Sequence, residues 1–181
     1  SLPDAVAVLD PKRDDCSYPY DELCGCGVGF KLIQALSERR GQTILDLIPY
    51  LDLVATAIAA DIVPITGENR VLAKFGLQVI NENPRPGIKA LLTQVKKSEL
   101  TITDVVFIIA PRINAAGRIQ HGNAAVSLLT EMNLEQAVQF AADIEQHNKD
   151  RRELDKTITE EALRQIQELN ETERFTTVVY Q

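Results

Sequence analysis

A chain of 181 residues is long enough for one good-sized domain or a domain with an extension, and its 45% hydrophobic content is enough to build a core. Tryptophan is absent and aromatics make up only 5%, so aliphatic side chains and alanine must fill that core, which favours helical packing over a sandwich or barrel. The net charge of −7 excludes a strongly basic nucleic-acid module, although Lys12, Arg13, Arg112, Arg118, Arg151 and Arg152 could form a local positive lane on an acidic body.

Residues 5–9 (AVAVL) form a short apolar run closed by Asp10-Pro11, which predicts a buried strand and a turn. A polar, proline-containing loop leads to a predicted helix over 21–40. There Val28, Leu32, Ala35 and Leu36 recur at helical spacing, and Gly41 stands where a C-terminal cap belongs. A short helix over 43–48 should stop at Pro49. The run 51–60 is apolar all round and should be deeply buried.

After Thr66-Gly67 an amphipathic helix is predicted over 68–81, then a loop (NENPRPG, 81–87) and a further helix over 88–95. Thr103 could cap the apolar segment 105–110, which Pro111 should end. The stretch 111–122 reads as irregular and 123–130 as helix. From Leu134 to about residue 170 neither proline nor glycine interrupts a helical pattern whose second half is dense in charge. So long and polar a helix suits a connector between domains. TTVVY (176–180) reads as a further strand. No repeat is apparent, and both ends, Ser1 and Gln181, read as cut.

Cys16, Cys24 and Cys26 make an odd count without a disulfide framework, which points to a reducing compartment. With no membrane-length apolar run and no signal-peptide pattern, a cytoplasmic location is expected.

Four segments could carry chemistry. Asp61 ends an apolar run in AADIVP, where a carboxylate needs a partner, a hydrogen bond or a hard divalent cation. Taken alone it reads first as a cap of the turn at Pro64, since one carboxylate does not make a metal site. PRINAAGR (111–118) sets Arg112 and Arg118 around Asn114 and Gly117. Small residues let a phosphate approach and guanidinium forks grip it, or one arginine pairs with an acidic neighbour instead. CGCGVG (24–29) suits close helix packing better than a phosphate turn, and a C-x-C with no second cysteine pair does not make a zinc site. Lys12 and Arg13 could lean over a ligand or sit in a solvated loop, and His121 and His147 have no partner nearby in sequence.

Together these segments resemble the RecJ family of the DHH phosphoesterase superfamily. LPDAVAVLDPKRDDCSYPYDELCGCGVGFKL is similar to the stretch that follows the family's Asp-His-His motif. LDLVATAIAADIVPITGENRVLAKFGL is similar to its last metal-ligand motif, and FIIAPRINAAGRI to its arginine signature.

The resemblance implies a fold that is α/β in origin but predominantly helical in this piece. Residues 1–132 would be the C-terminal portion of a Rossmann-like DHH catalytic domain, 133–172 a linker helix, and 173–181 the first strand of the DHH-associated domain. It implies 5′-to-3′ hydrolysis of single-stranded DNA with Mn2+ or Mg2+ in DNA repair and recombination. Asp61 would be a catalytic metal ligand, and Arg112, Asn114, Arg118, Lys12 and Arg13 would face DNA. The Asp-His-His triplet and the upstream aspartate motifs do not occur in the chain, so the piece alone is expected to be inactive and to self-associate through uncovered apolar surface. Two other readings stand beside this one: another DHH phosphoesterase acting on short oligonucleotides or nucleotides, and a non-catalytic interaction module built on the long helix.

Overall fold

The computed structural model describes residues 3–168 except 62, 94, 120 and 121, and for 116–119 the backbone alone. The predicted strand 173–181 and His121 lie outside the described residues. Among the described residues there is helix and no strand. Residues 5–9 correct the expected strand: they run irregularly with Val6 and Leu9 exposed, because among the described residues no neighbouring segment offers the ladder of backbone partners that a strand requires.

Helix α1 (Gly25–Arg39) buries Phe30 against α2 (Leu51–Ala60), and the chain leaves it through Gly41 at φ +75, as the C-cap reading expects. A 3-10 helix (Ile44–Tyr50) joins the two, capped reciprocally by Thr43 and Asp46. Pro49 does not stop this turn. It lies inside the 3-10 helix, which gives up one i→i−3 bond there, and the chain runs on into α2.

Helix α2 is the centre of the molecule. Val54 and Ile58 enter one apolar cluster with Phe30, Leu47 and Ala73; Ala55 and Ala59 enter a second with Ile80, Ile88, Val105, Ile109, Leu128 and Ile144. Both faces are dry, which is what an all-round apolar run predicts. Helix α3 (Gly67–Glu82) packs tightly along it: a Cβ at Gly76 would lie 2.1 Å from the Leu51 carbonyl oxygen. The next helices are α4 (Pro86–Leu91), the single turn α5 (Ile102–Asp104), α6 (Ala110–Ile119), α7 (Asn123–Thr130) and α8 (Leu134–Glu168).

Two expectations around Pro111 are corrected. The cap of the segment is Thr101, which exchanges bonds with Asp104, while Lys97 and Thr101 hold the Asp104 carboxyl down at about 2. The helix does not end at Pro111 and PRINAAGR is not irregular. The chain widens into a π-helical turn over Val105–Ile109, then continues as α6 with Pro111 at its second position and the helix-favouring Ala115 and Ala116 behind it.

Helix α8 spans 35 residues, roughly 52 Å at 1.5 Å per residue. Ala137, Ala141, Ile144 and Asn148 are buried, and beyond them the described helix is largely exposed and laced by ion pairs such as Arg151–Asp155 and Arg164–Glu168.

Sequence reasoning assigned 81–87 to a loop and missed what that loop does. Asp52, wholly buried in α2, takes hydrogen bonds from Arg85 Nε (2.9 Å), Arg85 Nη2 (2.8 Å), the Arg85 backbone N–H (3.1 Å) and the Leu53 N–H (2.7 Å). The remaining Arg85 donors reach the carbonyls of Leu129 (3.0 Å) and Pro49 (3.2 Å). One fork therefore ties α2, the start of α4, the end of α7 and the 3-10 helix. Arg85→Ala would strand a buried carboxylate and should lower stability by about 3–5 kcal/mol, read as a large fall in the urea midpoint.

Candidate functional site

Asp61 is the residue after α2, its N–H bonded to the Ala57 carbonyl at 2.9 Å, and its side chain is exposed. It makes no ion pair among the described residues. Its position beside the start of α1 is felt by both thiols there. Burial raises Cys24, with Asp61 adding to the effect, and burial together with Cys24 pushes Cys26 up to about 11 even though part of Cys26 reaches the surface. The packing expected of CGCGVG holds for Cys24, buried in the apolar cluster with Phe30, and for Gly27 beside Leu23, but not for the exposed Cys26 or for Gly25 and Gly29, which face open space.

The segment after Asp61 is clamped in place. Asn69, wholly buried, donates through Nδ2 to the carbonyls of Glu22 (2.7 Å) and Pro64 (3.0 Å). Tyr20 adds a bond from its hydroxyl to Pro64 O (3.2 Å) and lies within 3.3 Å of Thr66 Oγ1. Its ring fills the space a Cβ at Gly67 would need, and Gly67 has φ +45. Glu68 accepts from Tyr18 at 2.6 Å and from Lys31 at 3.0 Å; burial pushes its carboxyl up, but these two donors together bring it below the ordinary value. Asn69 and Tyr20 were not singled out from sequence. Only their neighbourhood, in TGENR and YPYDE, was visible there.

No group of three or more histidine, cysteine, aspartate or glutamate side chains is gathered for a metal ion among the described residues. A hard divalent cation takes several oxygen ligands, so Asp61 fits as one member of a set and these residues do not complete it.

The arginine-bearing segment lies on α6. Arg112 pairs with Glu145 of α8 (Nε to Oε2, 2.5 Å) and donates through Nη1 to the Ile108 carbonyl at 2.6 Å, beside the π turn. Of the two arrangements open for the arginines, pairing with an acidic neighbour is the one Arg112 adopts. Asn114 is exposed and faces a groove shared with Arg151. The Arg118 side chain lies outside what the structure describes. Lys12 pairs with Glu22 (2.9 Å) and Arg13 with Asp15 (2.5 Å), both near the surface, and no described hydrogen bond or ion pair joins them to α6. Among the described residues no helix is long and apolar enough to cross a membrane.

The helical body that carries Asp61 and the PRINAAGR helix is similar in sequence and fold to a class of bacterial DNA exonucleases. The chain is 38% identical over 169 residues to the single-stranded-DNA-specific exonuclease RecJ of Bacillus subtilis, an alignment covering 92% of this chain and 21% of the relative. It is 36% identical to RecJ of Dickeya dadantii (93% and 31%) and 36% identical to RecJ of Escherichia coli (90% and 30%). Among solved structures, RecJ of Thermus thermophilus in complex with Mn2+ superposes with a TM-score of 0.74 at 32% identity, covering 82% of this chain and 22% of that one. An exonuclease RecJ bound to manganese gives 0.75 at 33%, covering 82% and 38%. No protein-family profile matches. Over the region it spans, the chain belongs to the RecJ family. It spans about a fifth to a third of the length of these curated relatives.

The clamp makes a local prediction. Asn69→Ala leaves two carbonyls without their donor and should cost about 1–3 kcal/mol. Amide hydrogen exchange over residues 63–66 should rise more than that of α8.

Proposed function

We propose that the chain is part of a 5′-to-3′ exonuclease that hydrolyses single-stranded DNA and serves DNA repair and recombination. The observation that carries this reading is the pair ADIVPITGENR and PRINAAGR, in that order, on a chain 38% identical to a relative named for single-stranded-DNA-specific exonuclease activity. In this reading residues 1–132 close a Rossmann-like DHH catalytic domain, 133–172 link it to the DHH-associated domain, and 173–181 open the latter.

Asp61 would be one of the ligands of Mn2+ or Mg2+, the others coming from residues this chain does not hold. When bound, such cations supply activated water and the positive charge that phosphodiester hydrolysis by two metals needs. The part played by the residues here is positional. Asn69 and Tyr20 hold the segment after Asp61, so that its carboxylate is presented at the end of a rigid helix rather than on a loose loop. Asn114 and Arg118 on α6, with Lys12 and Arg13, would face the DNA backbone, while Arg112, expected there too, is engaged by Glu145 and would brace α6 against α8. Lys12 and Arg13 are held only by near-surface ion pairs, which are weak and are readily exchanged for phosphate.

The purified 181-residue chain should show no Mn2+-dependent degradation of single-stranded DNA, whereas the full-length protein should show it from the 5′ end and lose it on Asp61→Ala. Degradation by the chain alone would contradict the assignment of the missing ligands. Inactivity of the full-length protein would contradict the exonuclease reading.

Helix α1 also presents Leu32, Ile33 and Leu36 to solvent, and Gly25 and Gly29 on the same stripe have open space where a Cβ would stand. In the intact protein this face would be covered by the catalytic-domain sheet, and in the piece it would drive self-association. Size-exclusion chromatography should show concentration-dependent oligomers that Leu36→Glu shifts toward monomer.

A further inference from the structure

The ion pair of Arg112 moves the question of phosphate contact one turn along the groove. With one donor on Glu145 and another on the Ile108 carbonyl, and with its side chain only 15% exposed, Arg112 has little to offer a ligand. Beside it a cavity of about 230 Å³ opens between α6 and α8, lined by Pro111, Asn114, Ala115 and Arg151.

Three features make this a place for an anion. Arg151 spends one donor on Asp155 (2.7 Å) in a surface pair of the weak, exchangeable kind, and a second on Asn148 Oδ1 at 3.4 Å. Its five N–H groups leave capacity for a phosphate. Asn114, on the opposite wall, is exposed and makes no hydrogen bond among the described residues. Behind Arg151 the Asn148 side chain is wholly buried, its Oδ1 turned to the guanidinium and its Nδ2 without any partner. A buried amide donor left unpaired is disfavoured unless something completes it, and here it belongs to the side chain behind Arg151, the arginine that lines the groove among the described residues.

We propose that this groove is a phosphate seat for the backbone of single-stranded DNA. Arg151 grips a phosphodiester from α8, Asn114 donates from α6, and the Asn148 amide holds the guanidinium toward the cavity. The proposal deepens the exonuclease reading and rests on it for the identity of the strand. From the chemistry of the seat alone the anion could also be free inorganic phosphate.

The test is a titration of the 181-residue chain at low salt with a 5′-phosphorylated oligothymidylate and, in parallel, with inorganic phosphate. Side-chain amide NMR signals of Asn114 and Asn148 are followed, and fluorescence anisotropy gives affinities. The Asn114 and Asn148 signals should move with the oligonucleotide at concentrations where inorganic phosphate leaves them in place. Arg151→Ala should weaken oligonucleotide binding about tenfold and lower the salt slope by about one, as loss of one phosphate contact does. Arg152→Ala removes the same charge from the next position without touching the groove, and should do much less. Asn114→Ala, a change on an exposed position of the other helix, gives a second reading should Arg151→Ala disturb α8.

Equal effects of Arg151→Ala and Arg152→Ala, unmoved asparagine signals, equal response to inorganic phosphate, or no binding by the chain would each overturn the DNA seat. The exonuclease reading fails separately, through inactivity of the full-length protein.

Discussion

The Asp52–Arg85 fork is the constraint on which the rest of the structure depends. A carboxylate with no solvent exposure is tolerable only when its oxygens are filled, and Arg85 fills them with three side-chain bonds and one from its own backbone. Because the same guanidinium also reaches the carbonyls of Leu129 and Pro49, the register of four segments is fixed around one point at the start of α2. Helix α2 then delivers Asp61 at its far end. The arginine helix is positioned by the second apolar cluster on the same α2, through Ile109 and α8. The two sequence signatures, far apart along the chain, thus both lean on α2.

Much of the helical framework was legible in the sequence. Helices α2 and α3 emerge from apolar patterning with ends near those observed, and α8 starts where its unbroken helical pattern begins, because long amphipathic or wholly apolar runs leave little choice of structure. The failures have local physical causes. AVAVL has strand composition but no described partner ladder. Pro49 and Pro111 were read as breakers, yet the first is tolerated in a 3-10 turn that runs into α2 and the second follows a widened π turn. Thr103 resembled a cap, but Thr101 has Asp104 three residues ahead and closes the reciprocal box.

The site was legible only in part. Asp61 stood out because a carboxylate ends an apolar run, and Arg112 because it belongs to a compact signature. The residues that position them did not stand out. Arg85 was hidden in a proline- and glycine-marked loop. Asn69 and Asn148 are polar residues on helices whose burial depends on which neighbouring segment packs over them. The acidic balance of the chain and the dense ion pairing of its arginines count against strong, salt-driven DNA binding by this piece alone.

The central claim is that Asp61 is one ligand of a divalent cation completed by residues outside this chain. The most direct measurement is Mn2+ anomalous diffraction from crystals of the full-length protein. The account predicts a manganese peak in direct contact with an Asp61 carboxylate oxygen. A fully occupied manganese centre elsewhere in the protein, with Asp61 outside its coordination sphere, would contradict it.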